Sequence, residues 1–305
     1  MNFQHLRHFV ATADAGNMLK AAEVLNISQS GLSRSVGALE NMLGLPLFER
    51  SAKGVELTGF GRHFYPHARL MLNEYNRSMD ELKTFQNLQG GSLRLGINNS
   101  FAYLLVPGVI AELVRRWPGI HIDIVSENYA ALAADLTHGN IDIAFSLYTT
   151  GSKLEHLDYE KLFEIRTRVF ARVDHPLRQA GEIRPAQLAG SDWGLINGAS
   201  AQAAFEAYFN SRGLPPPQIA LQCSSVALLA SVVAQSDLLT MLPEEFVARM
   251  REFAIEPLGS GVSFGVANVG LIRRRGSFDS PIAERLSRLL RRDAAKLGLP
   301  LDAGV

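Results

Sequence analysis

The sequence of 305 residues is poor in the features that mark secreted, membrane-spanning or disulfide-bonded proteins. It contains one cysteine, Cys223, so no internal disulfide framework can form, and a free thiol suits a reducing compartment. No run of about 18 apolar residues occurs. The N-terminus carries Gln4, His5 and Arg7 instead of the apolar centre of a signal peptide. We therefore expect a cytoplasmic protein without a membrane anchor.

An excess of one charge and the common catalytic motifs are also missing. Lys and Arg total 30, as do Asp and Glu, so the net charge of zero neither supports nor excludes a nucleic-acid partner. We find no glycine-rich phosphate loop, no dinucleotide fingerprint after a strand, no nucleophile elbow and no zinc-protease motif. Cys223 follows an apolar run and is expected in the core. The sequence indicates neither an enzyme nor a cofactor.

The first 58 residues show short helical patterns separated by turns. Apolar side chains recur at helical spacing from Phe3 to Ala13, and Gly16 ends that helix. A second helix is predicted over Met18–Leu25, and Ser28 is a suitable N-cap for a third. Two helices joined by a tight turn form a helix-turn-helix, whose second helix can enter a DNA major groove.

Two short strands are predicted after the third helix. They cover residues 47–50 and 55–58 and flank a glycine-containing turn with basic residues. This arrangement predicts a wing, and Thr58 is expected to cap the next helix.

The residue types and their order over this region resemble the DNA-binding domain of the LysR-type family. The resemblance covers about 45 positions and rests on the motifs Ala21-Ala22-Glu23-Val24-Leu25-Asn26-Ile27-Ser28-Gln29-Ser30, Leu32-Ser33-Arg34, Leu39-Glu40, Leu43-Gly44, Leu47-Phe48-Glu49-Arg50 and Leu57-Thr58. It implies that Gln29, Ser30, Ser33 and Arg34 lie on the exposed side of the recognition helix and contact DNA. It also implies that Arg50, Ser51 and Lys53 of the wing reach sugar-phosphate or the minor groove. The alternative for each residue is a solvated side chain without a partner.

Two departures from the family pattern affect the recognition helix. The chain has Ser30-Gly31 where the family often has Pro-Ala, and Gly37 where it often has a basic residue. Each helical glycine costs up to ~1 kcal/mol relative to alanine. Because residues 1–58 are also nearly neutral, affinity for DNA is expected from geometry and from avidity in a dimer or tetramer.

Residues 60–88 predict one long helix. Pro66 is expected in its first turn, where proline is tolerated. Apolar and small side chains alternate at spacings of four and three, as in a coiled-coil seam: Phe64, Ala68, Met71, Tyr75, Ser78, Leu82 and Phe85. The expected partner is the same helix of a second subunit, as the family uses it, and the alternative is packing on the chain's own second domain. His63 and His67 have metal-binding spacing, but no third ligand completes a set, so we expect no metal.

From residue 90 onward, strands and helices alternate. Strands are predicted over residues 92–97, 120–125 and 141–145 with helices over 101–116 and 132–138, and Asn98, Asn99 and Ser100 are suitable N-caps. This order predicts a parallel sheet with ligands beyond its carboxyl ends. A similar second unit follows, with strands over 168–173, 193–196, 219–223 and 262–272 and helices over 203–212, 225–235 and 282–297.

This second region resembles the LysR-type effector domain, a two-lobed α/β fold like that of periplasmic binding proteins. The resemblance implies a winged helix-turn-helix (1–58), a dimerisation helix (59–89) and an effector domain (90–305). Lobe I then covers about 90–162 and 267–305, and lobe II about 163–266. The implied pocket residues between the lobes are Asn99, Ser100, Tyr129, Ser146, Asn197, Ser200 and Ser225. Ordinary helix capping needs the same residue types and is the alternative.

These features together predict a regulator that binds promoter DNA sequence-specifically and responds to a small molecule. The residue types suit an organic anion, an aromatic compound or a sugar derivative, and activation and repression are both open. A solute-binding protein for transport shares the second fold, but it would need a signal peptide and would lack the helix-turn-helix. Dimers, and tetramers that bend DNA, are expected from the resemblance.

Overall fold

A computed structural model of the chain describes residues 2–51, 54–87, 91–101, 105–148, 156–247, 253–259, 262–277 and 280–296. These residues fall into two compact units. The first comprises Met1–Gly91 with Thr137–Asn140, and the second comprises Ser92–Leu136 with Ile141–Val305. None of the helices that the structure describes combines the length and hydropathy needed to span a bilayer.

The first unit begins with three helices whose ends are set by local sequence. They are α1 (Phe3–Ala15), α2 (Met18–Leu25) and α3 (Gln29–Leu43). Each ends at a residue in the left-handed conformation, namely Gly16, Asn26 and Gly44. These ends satisfy helix carbonyl groups through backbone amides of the capping residues. The predicted helix-turn-helix is thereby confirmed.

The predicted wing is an antiparallel pair of strands, β1 (Phe48–Ser51) and β2 (Gly54–Leu57). Gly54 has a φ of 131°, and a Cβ atom there would lie 2.6 Å from the carbonyl oxygen of Gly16. The Val55 amide donates to the same oxygen at 3.0 Å. Glycine is therefore required where the wing approaches the end of α1.

The long helix α4 (Gly59–Asn87) covers almost the whole of the predicted range of residues 60–88. Pro66 lies inside the helix and not in its first turn, so the predicted placement of this proline was wrong. A proline there cannot donate to the carbonyl group one turn earlier. The helix nevertheless continues because its first half packs on the rest of the unit.

That packing also corrects part of the predicted coiled-coil seam. Ala68 is fully buried within its own unit, where Phe64 and Met71 pack against the α1–α3 core. Beyond them the pattern changes, since Tyr75 and Leu82 are exposed and Tyr75 stacks on Phe3 of α1 at a ring-centroid distance of 4.4 Å. The first half of the seam therefore belongs to the intrachain core. The side chain of Phe85 lies outside the described residues.

The second unit is built on one mixed sheet. Its strands are β3 (Gly91–Asn98), β4 (Ile120–Glu127), β5 (Ile143–Tyr148), β6 (Leu157–Arg172), β7 (Trp193–Ile196), β8 (Ile219–Cys223), β9 (Leu239–Pro243), β10 (Ile255–Pro257) and β11 (Ser263–Arg274). Their order is β4-β3-β5-β11-β6-β9-β7-β8, with β10 paired to β6. The helices are α5 (Val106–Arg116), α6 (Tyr129–Thr137), α7 (Pro185–Ala189), α8 (Ala199–Asn210), α9 (Val226–Ala234), α10 (Glu244–Val247) and α11 (Pro281–Lys296).

Two lobes follow from this order. β3 and β5 are parallel in lobe I, and β7 is parallel to both β8 and β9 in lobe II. The long antiparallel strands β6 and β11 run between the lobes. Each lobe has its own core, with Phe145 and Phe163 at the centre of one and Trp193, Phe205 and Phe209 at the centre of the other. The two-lobed α/β fold agrees with the prediction.

Several predicted boundaries were wrong. A 3₁₀ turn covers Asn99–Phe101, and α5 begins only at Val106 after Leu105, so Asn98, Asn99 and Ser100 do not cap it. Pro107 at the helix start fixes this boundary. Helices α6 and α8 begin earlier than predicted, and β6 extends far beyond the predicted 168–173. Its ladder partners, β11, β9 and β10, are distant in sequence, so its local pattern is a weak guide.

Candidate nucleic-acid interface and ligand crevice

The recognition helix α3 presents a polar face to solvent. Gln29, Ser30 and Arg34 are exposed, and Ser33 is half-buried beside them. The opposite face of α3 is fully buried through Leu32, Val36 and Leu39. In the exposed face, Arg34 Nε donates to the carbonyl oxygen of Ser30 at 3.4 Å, which lays the side chain along the helix. Amide, hydroxyl and guanidinium groups on one helix face are the groups that read base edges and phosphates.

Both ends of α3 are fixed by side-chain hydrogen bonds. Ser28 Oγ accepts from the Gly31 amide at 3.1 Å and caps the start of the helix, as predicted. Near the other end, Glu40 Oε1 accepts from the amides of Leu47 at 2.7 Å and Phe48 at 3.1 Å. One carboxylate on the recognition helix therefore holds the beginning of the wing. Hydrogen bonds to an ionised acceptor are stronger than neutral ones.

The junction between the wing and α4 is closed by Thr58. Its Oγ1 accepts from the Gly61 amide at 2.9 Å and donates to the Pro46 carbonyl oxygen at 2.7 Å. Thr58 is buried, and it caps α4 as the sequence predicted. The wing therefore has a fixed base. Arg50 and Ser51 lie on β1, but their side chains, like the whole of Lys53, lie outside the described residues.

A buried histidine contacts α3 from α1. His8 is 7% exposed, and its Nδ1 lies 2.7 Å from Ser35 Oγ. Burial lowers the pKa of His8 from its ordinary value of 6.5, and the charges of His5 and Arg7 lower this pKa further. The imidazole is therefore neutral in the folded unit at neutral pH.

Acidification is expected to destabilise the first unit through His8. The folded pKa lies below the unfolded value of 6.5, so the unfolded chain binds a proton that the folded unit does not. The free energy of unfolding should therefore change little with pH well above 6.5. It should fall as the pH drops through and below 6.5. Thermal unfolding between about pH 5.5 and about pH 7.5 measures this slope. His8→Phe should flatten it; an unchanged slope in that variant would assign the pH dependence to other groups.

The predicted effector residues of lobe I lie at the carboxyl ends of its strands. Asn99 follows β3, and its Oδ1 accepts from Ser126 Oγ of β4 at 2.8 Å. Tyr129 begins α6 and is half-buried. Ser146 on β5 is fully buried, pairs with Gly270 of β11, and its Oγ has no hydrogen-bond partner among the described residues. Ser100 lies in the 3₁₀ turn, and its side chain lies outside the described residues.

The predicted residues of lobe II occupy the corresponding ends of β7 and β8. Asn197 follows β7, and its backbone amide donates to the Cys223 carbonyl oxygen at 2.9 Å, so the two strand ends are adjacent. Ser200 is exposed in the first turn of α8. Ser225 Oγ accepts from the Leu228 amide at 3.2 Å and caps α9. Its hydroxyl is therefore already used in the way that the capping alternative described.

A cavity of about 330 Å³ lies at the other end of the lobe II sheet. Its walls include Ser191 and Asp192 before β7 and Ser236 and Asp237 before β9, together with His175, Pro176 and Leu238. Its polar groups are largely occupied within the protein: His175 Nε2 lies 3.1 Å from the Asp237 carbonyl oxygen, and Asp237 pairs with Arg172 at 2.8 Å. The cavity therefore offers a ligand few polar groups that are not already engaged within the protein.

The histidine pair on α4 lacks the surroundings of a metal site. His63 and His67 are both exposed, with ring centroids 5.5 Å apart. Within the part of the chain that the structure describes, no group of three His, Cys, Asp or Glu residues could hold a metal ion. Cys223 is half-buried and not a full core residue as expected.

The hydrogen bonds made by three residues were missed by the sequence analysis. Glu40 was noted only as part of a motif, and His8 and Ser35 were not singled out. Glu40 contacts residues seven and eight positions away, and His8 contacts a residue 27 positions away. The available signal for His8 was its position on the apolar face of α1. A polar residue buried on such a face needs a hydrogen-bond partner.

A winged helix-turn-helix followed by a two-lobed α/β domain defines a class of protein: DNA-binding regulators with a ligand-binding domain. The chain matches two family models, "Bacterial regulatory helix-turn-helix protein, lysR family" over residues 3–62 and "LysR substrate binding domain" over residues 86–295. The chain belongs to the LysR-type family of transcription regulators. It is therefore a DNA-binding transcription regulator with an effector-binding domain and not an enzyme.

Individual relatives extend over most of the chain. The SDS degradation transcriptional activation protein of Pseudomonas sp. (strain ATCC 19151) is 30% identical over 299 residues, which are 95% of each chain. The regulator GbpR of Azospirillum brasilense is 30% identical over 262 residues, covering 85% of this chain and 75% of GbpR. Full-length CbnR complexed with its target DNA has a TM-score of 0.66 at 23% identity and covers 96% of this chain and 100% of that one, which shows the shared fold.

Proposed function

We propose that α3 reads promoter DNA through Gln29, Ser30, Ser33 and Arg34, with Arg50, Ser51 and Lys53 of the wing contacting the backbone or the minor groove. The observation that carries this proposal is the exposed polar face of α3, opposite a fully buried apolar face and fixed at both ends by Ser28 and Glu40. Arginine suits guanine and glutamine suits adenine in the major groove.

We further propose self-association through the second half of α4. Tyr75, Met79 and Leu82 are all more than 40% exposed on this helix, whereas its first half is used in the intrachain core. Pairing two copies would place two recognition helices on successive turns of DNA. A tetramer that bends the DNA is the further assembly that we propose.

The effector, in this proposal, binds between the lobes near Asn99, Ser100, Tyr129, Ser146, Asn197, Ser200 and Ser225. Hydroxyl and amide groups suit an organic anion, an aromatic acid or a sugar derivative. Closure of the lobes on this ligand would change the shape of the assembly and so the promoter geometry. The relative from Pseudomonas sp. is a transcriptional activation protein, which supports activation as the direction of control.

Arg34→Ala is expected to weaken binding to the operator by about 10- to 100-fold and to relax specificity at one base position. The operator is first selected from genomic fragments with purified full-length protein. Footprinting across a salt series should then show two protected patches spaced by helical turns, with protection that weakens steeply as salt rises.

Arg115→Ala provides the matched control, because Arg115 is an exposed arginine on α5 of the second unit. This variant should keep the wild-type footprint. Equal operator affinity of wild type and Arg34→Ala would contradict the role of Arg34, and failure to select any fragment would contradict the proposed mode of DNA binding as a whole.

A further inference from the structure

The packing of α1 against the recognition helix is mainly apolar. Leu6 and Phe9 of α1 are buried against a core that includes Leu32, Val36 and Leu39 of α3. Apolar contact is non-directional, so it stabilises the association of two helices without strictly fixing their rotation or their register. A hydrogen bond has a narrow range of distance and angle and therefore adds the missing restraint.

Such a restraint is present between His8 and Ser35. The distance between His8 Nδ1 and Ser35 Oγ is 2.7 Å, and the imidazole is almost fully buried. A serine hydroxyl can donate to the neutral ring, and loss of either partner would leave the other polar atom in an apolar interface without this hydrogen bond.

The position of this hydrogen bond along α3 gives it a specific role. Ser35 follows Arg34 directly and lies between Gly31 and Gly37, two glycines that weaken the helix. Ser28 and Glu40 fix the two ends of α3. The bond to His8 fixes its middle, next to the proposed DNA-reading side chain.

We infer that His8 is a positioning residue, which sets the rotation and register of the recognition helix through Ser35 without touching DNA. This inference rests on the proposed function of α3 as the helix that reads the operator. Recognition groups need placement within about 0.5 Å, so a small displacement of Arg34 reduces specific contacts. Non-specific binding depends on total charge and is little affected by such a displacement.

The test compares the affinity of full-length protein for the selected operator fragment and for a scrambled fragment of equal length. Ser35→Ala and His8→Phe should each weaken operator binding by roughly 5- to 20-fold, the effect of one hydrogen bond and of the displacement that follows its loss. Affinity for the scrambled fragment should stay within about twofold. The double variant should resemble the single variants, because both changes remove the same interaction. Ser35→Thr keeps the hydroxyl and should restore operator affinity.

Thr12→Val is the control for a loss of stability in the same unit. Thr12 is fully buried, and its hydroxyl donates to the His8 carbonyl oxygen within α1 at 2.7 Å, so the change does not remove the link to α3. All affinities are measured well below the melting temperature of each variant. The ratio of operator to scrambled affinity should stay at the wild-type value in Thr12→Val.

Three results would overturn the positioning role. They are additive effects of the two single changes, equal losses on both fragments, and a loss of specificity in Thr12→Val as large as that in Ser35→Ala. If His8→Phe fails to fold, Ser35→Ala and Ser35→Thr still decide the question. Arg34→Ala separates the two proposals. If Arg34→Ala leaves operator affinity unchanged, α3 is not the helix that reads the operator. If Arg34→Ala weakens operator binding but Ser35→Ala does not, only the positioning role is rejected.

Discussion

Replacement of Glu40 by alanine is expected to lower the free energy of unfolding of the first unit by about 2–4 kcal/mol. The carboxylate accepts two backbone hydrogen bonds, from Leu47 and Phe48, where the chain enters the wing. Leu47 is 1% exposed, so water cannot easily replace the lost acceptor. The change should therefore free the wing as well as destabilise the core beneath it.

Glu40→Gln should have a smaller effect, because the amide oxygen remains an acceptor but the negative charge is lost. Glu49→Ala is the matched control, since Glu49 is an exposed carboxylate on β1. Thermal unfolding gives the change in stability, and hydrogen exchange at the amides of Leu47 and Phe48 reports the local contact. If Glu40→Ala and Glu49→Ala had equal stability and equal exchange at these amides, the carboxylate would not hold the wing.

Local sequence was sufficient to predict the helices of the DNA-binding domain. Gly16 and Asn26 adopt the left-handed conformation at helix ends, and Ser28 and Thr58 cap the helices that follow them. These effects act within a few residues, so their residue types identify them directly. The exposed face of α3 follows from the same helical periodicity.

The partner of an apolar face could not be predicted in this way. Phe64 and Ala68 have coiled-coil spacing, yet they pack in the core of their own unit. The spacing is the same for an intrachain and an interchain partner, so periodicity cannot distinguish them. The contacts of Glu40 and His8 were missed for a related reason, since they join elements that only the folded chain brings together.

The effector crevice was predicted from a rule about parallel sheets, and the rule places residues more reliably than it assigns their roles. Asn99 and Asn197 do follow β3 and β7, at the expected strand ends. Ser225 lies at the equivalent position after β8 but is used as a helix cap. Ser146 differs from these residues because its hydroxyl is buried and has no partner among the described residues. That environment is visible only in the folded structure.

Ser146→Ala is expected to raise the free energy of unfolding of the second unit by about 1–2 kcal/mol while weakening effector binding by about tenfold. An unpartnered buried hydroxyl is costly in the free protein, and a methyl group at the same position removes that cost. A ligand that hydrogen-bonds to Ser146 Oγ would recover this energy on binding, so the variant should lose affinity as it gains stability. Thermal unfolding without ligand measures the first effect. Organic acids, aromatic acids and sugar derivatives are screened for a shift of the wild-type melting temperature. Titration with the compounds that cause such a shift measures the second effect, the change in ligand affinity.

Ser287→Ala should act in the opposite direction and so provides a control for the loss of a buried hydroxyl. Ser287 is also buried, but its Oγ donates to the Ala283 carbonyl oxygen at 2.9 Å and accepts from Arg273 at 2.7 Å. Removal of this satisfied hydroxyl should destabilise the unit by about 1–3 kcal/mol, because it leaves a guanidinium donor without its acceptor. A loss of stability in both variants would mean that Ser146 has a partner in the folded protein. If Ser146→Ala gained stability but kept its ligand affinity, the Ser146 hydroxyl would not contact the effector. The binding energy would then be independent of the group removed.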